Sequence, residues 1–121
     1  MVSGTDDKRF TVAVRTVDDA VLLTLGGELD HDTAAPLREA LDAAAARGGR
    51  LLVDMAGLQF CDSTGLNALL HGRLAVQEAG GSLELAGLSG PVARMFRITG
   101  ADGVFPVHAD VDQALGSVRG R

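Results

Sequence analysis

Two adjacent hydroxyls beside a carboxylate, in Asp62-Ser63-Thr64-Gly65, are the residues of this chain best placed for chemistry. They stand where an apolar stretch gives way to a helical pattern, and that position suits two roles. Ser and Asp are favoured helix N-caps, because their side-chain oxygens accept bonds from the unpaired N–H groups of the first turn. On local chemistry alone, Ser63 reads as a cap. The same N–H groups and the positive end of the helix dipole also favour an anion. A phosphoserine at this position would add about −1.5 to −2 charges at pH 7, next to Asp62 and on a chain of net charge −5. That charge can leave a fold intact and still repel a partner docking over the helix start, so the two roles are compatible.

Other chemistries find less support. Residues 61 to 65 read Cys-Asp-Ser-Thr-Gly, not the Gly-x-Ser-x-Gly elbow that would activate Ser63 with His108 as a hydrolase. No P-loop or G-x-G-x-x-G occurs, and Gly87-Leu-Ser-Gly90 is an ordinary turn after a strand. His31, His71 and His108 show no metal-ligand spacing and read as surface residues. The lone Cys61 could sense redox state, but its apolar neighbour Phe60 argues for a small core residue. No metal, no cofactor and no enzymatic activity are expected.

These residues need elements to position them. Phe10 to Val14 alternates apolar residues at 10, 12 and 14, a half-buried strand. Val21 to Leu25 is a second strand after a turn over 17–20, and Gly26-Gly27 breaks the pattern. Ala34 to Ala46 is a helix burying Leu37, Ala40, Leu41, Ala44 and Ala45, capped by Asp32 or Thr33 and ended by Gly48-Gly49. Leu51-Leu-Val53 is a short strand buried on both faces, followed by a loop that takes in Asp54. The second helix runs from about Thr64 to Ala79, followed by a strand over Ser82 to Ala86 and a short helix over Pro91 to Thr99. Val104 to Val107 makes an edge strand, where Pro106 is tolerated. Asp110 opens a last helix of capping-box form, with Val111, Ala114, Leu115 and Val118 on one face. This order predicts a single α/β domain: a mixed sheet of four to five strands, its first hairpin antiparallel, with about four helices mainly on one face. Residues 1–9 are expected to be loosely ordered, the domain to span 10–118, and 119–121 to form a tail.

The whole chain bounds the function. At 121 residues it is long enough to bury a core without disulfides or a structural metal. Net charge −5 gives no basic footprint, so direct nucleic-acid binding is not expected. The polar start lacks the apolar core of a signal peptide, and no apolar run reaches membrane-spanning length. With a single cysteine fitting a reducing compartment, the expected location is the cytoplasm, with no membrane partner.

Five blocks then occur in order: Gly27-Glu-Leu-Asp-His31, Leu51-Leu-Val-Asp54, Phe60-Cys-Asp-Ser-Thr-Gly-Leu66, Gly80-Gly-Ser-Leu83, and Pro91-Val-Ala-Arg-Met-Phe96 followed by Gly100. Together they resemble the bacterial anti-sigma factor antagonists of the STAS domain family, over roughly residues 10 to 118. Asp-Ser-Thr-Gly-Leu alone is a weak match; five ordered blocks are specific.

The resemblance implies a STAS fold and a non-enzymatic switch. In the family the unmodified antagonist binds an anti-sigma factor that is also a serine kinase, which frees the sigma factor. Phosphorylation of the serine after the aspartate releases the antagonist, and a phosphoserine phosphatase restores it. Mg-ATP belongs to the kinase. By position the acceptor is Ser63, with Thr64 the secondary candidate. Asp30, Asp62, Ser63, Thr64 and Gly65 are implied to form the partner-binding surface. Asp30 also reads as a turn aspartate before the first helix, and Asp62 either orients the Ser63 hydroxyl or is a surface loop carboxylate. The alternative within the fold is a STAS subunit of another assembly, such as a phospholipid-transport complex or a signalling scaffold, that binds its partner without a phosphoswitch.

Overall fold

The computed structural model describes residues 9–119, with side chains through residue 116. Most of the segment expected to be loose, the last two residues and the side chain of Val118 therefore lie outside the described residues. One sheet carries five strands in the order β1-β2-β3-β4-β5: β1 (Phe10–Val17), β2 (Ala20–Leu29), β3 (Arg50–Cys61), β4 (Ser82–Ala86) and β5 (Val107–His108). The β1–β2 pair is antiparallel and every later pair is parallel. Four helices join them: α1 (Ala34–Arg47), α2 (Ser63–Glu78), α3 (Gly90–Thr99) and α4 (Val111–Arg119). The expected mixed α/β sheet is present.

Strand alternation divides the apolar residues between two layers. Val21, Leu23, Leu25, Leu51, Val53, Met55, Leu83 and Leu85 join Leu37 and Leu41 of α1, Leu69 and Val76 of α2, and Val92 and Phe96 of α3 in the main core. Leu22, Leu52 and Ala86 pack instead with Ala114 and Leu115 of α4. Three helices thus share the main core and α4 covers part of the other face.

Several boundaries differ from the sequence expectation. The strand expected to stop at Val53 continues to Cys61, so Asp54 and the supposed loop lie within β3. Register shifts at Thr24/Gly26 and Gly27/Glu28 leave extra residues on β3 at two places. Each such bulge breaks the two-residue alternation, and after Val53 only Met55, Leu58 and Cys61 are buried, every third residue. Gly26-Gly27 is likewise no break but part of β2. Gly27 has φ +87, and a Cβ there would run into the Arg9 backbone, where Glu28 N–H donates to the Arg9 carbonyl at 2.6 Å. The last strand is only Val107–His108. Phe105 leaves the ladder to pack in the core against Phe96, ring centroids 6.4 Å apart. The edge position inferred from Pro106 holds.

Two side-chain roles also differ. Thr33 occupies the N-cap position of α1 but makes no capping bond; its Oγ1 donates to the Glu28 carbonyl at 2.9 Å and accepts the Asp30 N–H at 2.9 Å. His108, read as a surface residue, is half-buried, and its Nε2 lies 2.8 Å from Glu84 Oε1. Arg50 meets the same carboxylate with two bonds of 2.9 and 2.8 Å and donates to the Ala114 carbonyl at 3.0 Å. This clamp ties β3, β4 and β5 to α4. Arg50's hydrogen bonds, ahead of the His108 contact, hold the Glu84 carboxyl below the usual carboxylate range against an opposing burial effect.

Candidate functional site

Because β2 and β3 run parallel, their C-terminal ends finish side by side, with Leu29 opposite Cys61. The next residues are Asp30 and Asp62, and Asp62 N–H donates to the Leu29 carbonyl at 3.1 Å. Two sequence-distant carboxylates are thereby brought to one end of the sheet, where ligand and partner surfaces of parallel sheets commonly lie.

Asp62, not Ser63, caps α2. Its backbone is extended, with φ −99 and ψ −172, and its Oδ1 accepts the Gly65 N–H at 3.1 Å. Ser63 is the first helical residue and exposed, and among the described residues no hydrogen bond engages its hydroxyl. The cap explanation therefore passes to Asp62, and the Ser63 Oγ stands free at the positive end of a 16-residue helix. Thr64 is half-buried, which makes it the less accessible hydroxyl. The Asp62 carboxylate does not orient Ser63 through a hydrogen bond, since its capping bond goes to Gly65. Replacing Asp62 with Ala is expected to cost about 1 kcal/mol in denaturant unfolding, whereas Asn, an equally good cap, should cost almost nothing. Equal losses for both would show that charge, not capping, holds Asp62 in place.

Gly65 lies beneath this surface. It is buried, and a Cβ there would sit 2.7 Å from Leu29 Cγ and 3.0 Å from Cys61 Sγ. Only a glycine lets α2 start so close to the strand ends. Gly65→Val is expected to destabilise the fold by about 2–3 kcal/mol through overpacking, read as a lower denaturation midpoint with unchanged slope. Cys61 is itself buried, and burial, reinforced by the Asp62 charge, pushes its thiol up to about 12. It stays protonated at neutral pH, as a core residue should.

Asp30 has a structural task as well. Its Oδ1 accepts the N–H groups of Asp32 at 2.9 Å and Thr33 at 3.2 Å, an Asx-type turn. Its Oδ2 lies 3.9 Å from Arg9 Nη1. Two exposed rim residues, Glu28 and Phe60, are not singled out from the sequence. Phe60, opposite Glu28 in the ladder, is 46% exposed. The bulge between Leu58 and Phe60 is what turns it outward. The surface around Ser63 thus combines carboxylates from Glu28, Asp30, Asp32 and Asp62 with one exposed aromatic ring.

The mixed-sheet α/β architecture thus presents an exposed serine at the start of a helix capped by Asp62. A family profile described as "Mlab, STAS domain" matches residues 12–108. The chain belongs to the STAS domain family of anti-sigma factor antagonists. It is 33% identical over 100 residues to the anti-sigma-B factor antagonist of Bacillus subtilis, covering 83% of this chain and 92% of that one. An anti-sigma factor antagonist from Mycobacterium paratuberculosis superimposes with TM-score 0.82 at 29% identity, covering 93% and 97% of the two chains. The antagonist SpoIIAA, solved in its unphosphorylated form, gives TM-score 0.77 at 25% identity, over 92% and 98%. Among the described residues, no helix is long and apolar enough to cross a membrane.

Proposed function

We propose that the unmodified chain binds a cognate anti-sigma factor with serine kinase activity, frees the sigma factor that it held, and is switched off at Ser63. The observation that carries this reading is the exposed Ser63 hydroxyl, released from capping by Asp62. In the off step, Ser63 Oγ attacks the γ-phosphorus of ATP bound to the kinase with Mg²⁺. The new O–P bond forms as the bond to the β,γ-bridging oxygen breaks; ADP leaves, and the hydroxyl proton passes to a base on the kinase. A phosphoserine phosphatase returns the hydroxyl by transferring the phosphoryl group to water. The chain itself needs no cofactor.

The partner face follows from the rim. Phe60 offers an apolar anchor, and the carboxylates around Ser63 favour a basic surface on the kinase. A dianionic phosphate beside Asp62 adds charge where the interface must be dry, which is how a local modification ends binding. The relatives named above, including one described by its unphosphorylated form, support the reading. A STAS subunit of a transport complex or scaffold would use the same fold without needing the free serine. Calorimetric titration with the purified kinase-type anti-sigma factor from the same genome tests the proposal. Stoichiometric binding with displacement of sigma factor is expected; binding to no such protein, alongside a stable complex with a membrane permease, would reverse it.

A further inference from the structure

Among the described residues Thr33 is the one polar side chain in the buried interior, 3% exposed. It stands in the N-cap place of α1, yet its hydroxyl bonds nothing in that helix. The hydroxyl turns back on the loop before it. Oγ1 accepts the Asp30 N–H at 2.9 Å and gives its single proton to the Glu28 carbonyl at 2.9 Å, ahead of Asp30 Oδ1 at 3.2 Å. The Thr33 N–H in turn donates to the Asp30 carbonyl at 3.1 Å and to Asp30 Oδ1 at 3.2 Å. A buried hydroxyl costs stability unless such bonds offset it, and Val would fill the same space without that cost. The hydroxyl therefore serves the loop rather than the core or the helix start.

That loop carries Asp30 to the rim. It begins at Leu29, whose carbonyl accepts the N–H of Asp62, the residue before Ser63. Thr33 Oγ1 holds the Asp30 amide, and the N–H groups of Asp32 and Thr33 hold its Oδ1. Oδ2 is the oxygen outside this network, 3.9 Å from Arg9 Nη1.

We propose that Thr33 is a positioning residue for the kinase-type partner: its buried hydroxyl sets the direction of Asp30, and Asp30 meets the partner. The inference rests on the function proposed for the Ser63 surface and adds to it a residue too deeply buried to touch a partner itself. Without the hydroxyl, the Asp30 N–H and the Glu28 carbonyl lose their bonds, and the loop must shift to satisfy them. The Asp30 carboxylate shifts with it. Ser63 stays where it is, because the start of α2 is held separately by the Asp62 cap on Gly65. Loss of the hydroxyl therefore weakens recognition and leaves phosphoryl transfer alone.

Amide hydrogen exchange and phosphorylation kinetics of the full chain test this. In the parent, the Asp30 and Thr33 amides should exchange slowly although they lie in a loop. Thr33→Val should keep the parent's far-UV circular dichroism and speed exchange at both amides. Its KM as the kinase's substrate should rise about fivefold at unchanged kcat, the worth of one hydrogen bond. Thr33→Ser keeps the hydroxyl and should restore both readings. Asp30→Asn removes the charge and keeps the turn; it should raise KM in the parent and add little in Thr33→Val, whose carboxylate is already misdirected. Fast exchange at the Asp30 amide of the parent overturns the proposal without any variant. So does a folded Thr33→Val with the parent's KM, as a purely structural role would give, or one whose loss adds in full to that of Asp30→Asn. A parent that the kinase neither binds nor phosphorylates overturns the function proposed for Ser63 and this role with it, whatever the amides show.

Discussion

Ser63→Asp is expected to fold like the parent and to bind the kinase-type anti-sigma factor about 10- to 100-fold more weakly, a loss of roughly 1.4–2.8 kcal/mol. The two halves of that statement have different causes. Folding survives because Ser63 is exposed and makes no side-chain bond among the described residues, so its replacement leaves no buried group unpaired. A carboxylate in the first turn also gains about 0.3–1 kcal/mol from the helix dipole, offset in part by Asp62. Binding suffers because the new charge must be desolvated at the contact, and misplaced charge at an interface costs several kcal/mol. Full phosphate, with nearly twice the charge, should weaken binding further. Calorimetry with the purified kinase and denaturant unfolding of both forms give the two numbers. Equal affinity for the Ser and Asp forms would remove the electrostatic account of release.

Glu84→Ala is expected to be strongly destabilising for a polar substitution, at about 2–4 kcal/mol. Glu84 and Arg50 are 13% and 21% exposed, so neither is fully solvated. Removing the carboxylate strips Arg50 of two bonds and His108 of its partner, and leaves a largely desolvated guanidinium on the sheet. Replacing both members with apolar residues, Arg50→Met with Glu84→Leu, should cost less than Glu84→Ala alone, because no orphaned charge remains. The pair also fixes an acid limit. Glu84 titrates lower in the folded chain than when unfolded, so its contribution is complete above the unfolded value near pH 4.3 and is lost as pH falls through the folded value. The parent should therefore lose more stability between about pH 5 and pH 3 than Glu84→Gln, by unfolding at each pH. Parallel pH curves for the two would show that the clamp contributes nothing.

Much of this architecture was legible because it is written locally. The face Leu37, Leu41, Ala44 and Ala45 marks α1, and alternation marks β1. What stayed hidden depends on distant residues. The second half of β3 follows β2 through two bulges, and no local period announces a bulge. The clamp joins residues 34, 24 and 64 positions apart, so Arg50, Glu84 and His108 each look like solitary surface charges. At the site, the fold gives some of the named residues other local tasks than the sequence suggests. Whether Asp62 or Ser63 caps α2 depends on where β3 ends, and that end was placed eight residues too early, at Val53 rather than Cys61. Gly65 was assigned to the surface with its neighbours, yet its need for no side chain comes from Leu29, which only the fold brings beneath it.

The central claim is that Ser63 is the acceptor of a phosphoryl group from a kinase that the unmodified chain binds. Intact-mass spectrometry of the chain incubated with that kinase and Mg-ATP, followed by peptide mapping, tests it most directly. One added phosphoryl group of about 80 Da, mapped to Ser63 and absent from Ser63→Ala, is the expected result. Phosphate on Thr64 or elsewhere with Ser63 unmodified, or a chain that binds the kinase and is never phosphorylated, would contradict it.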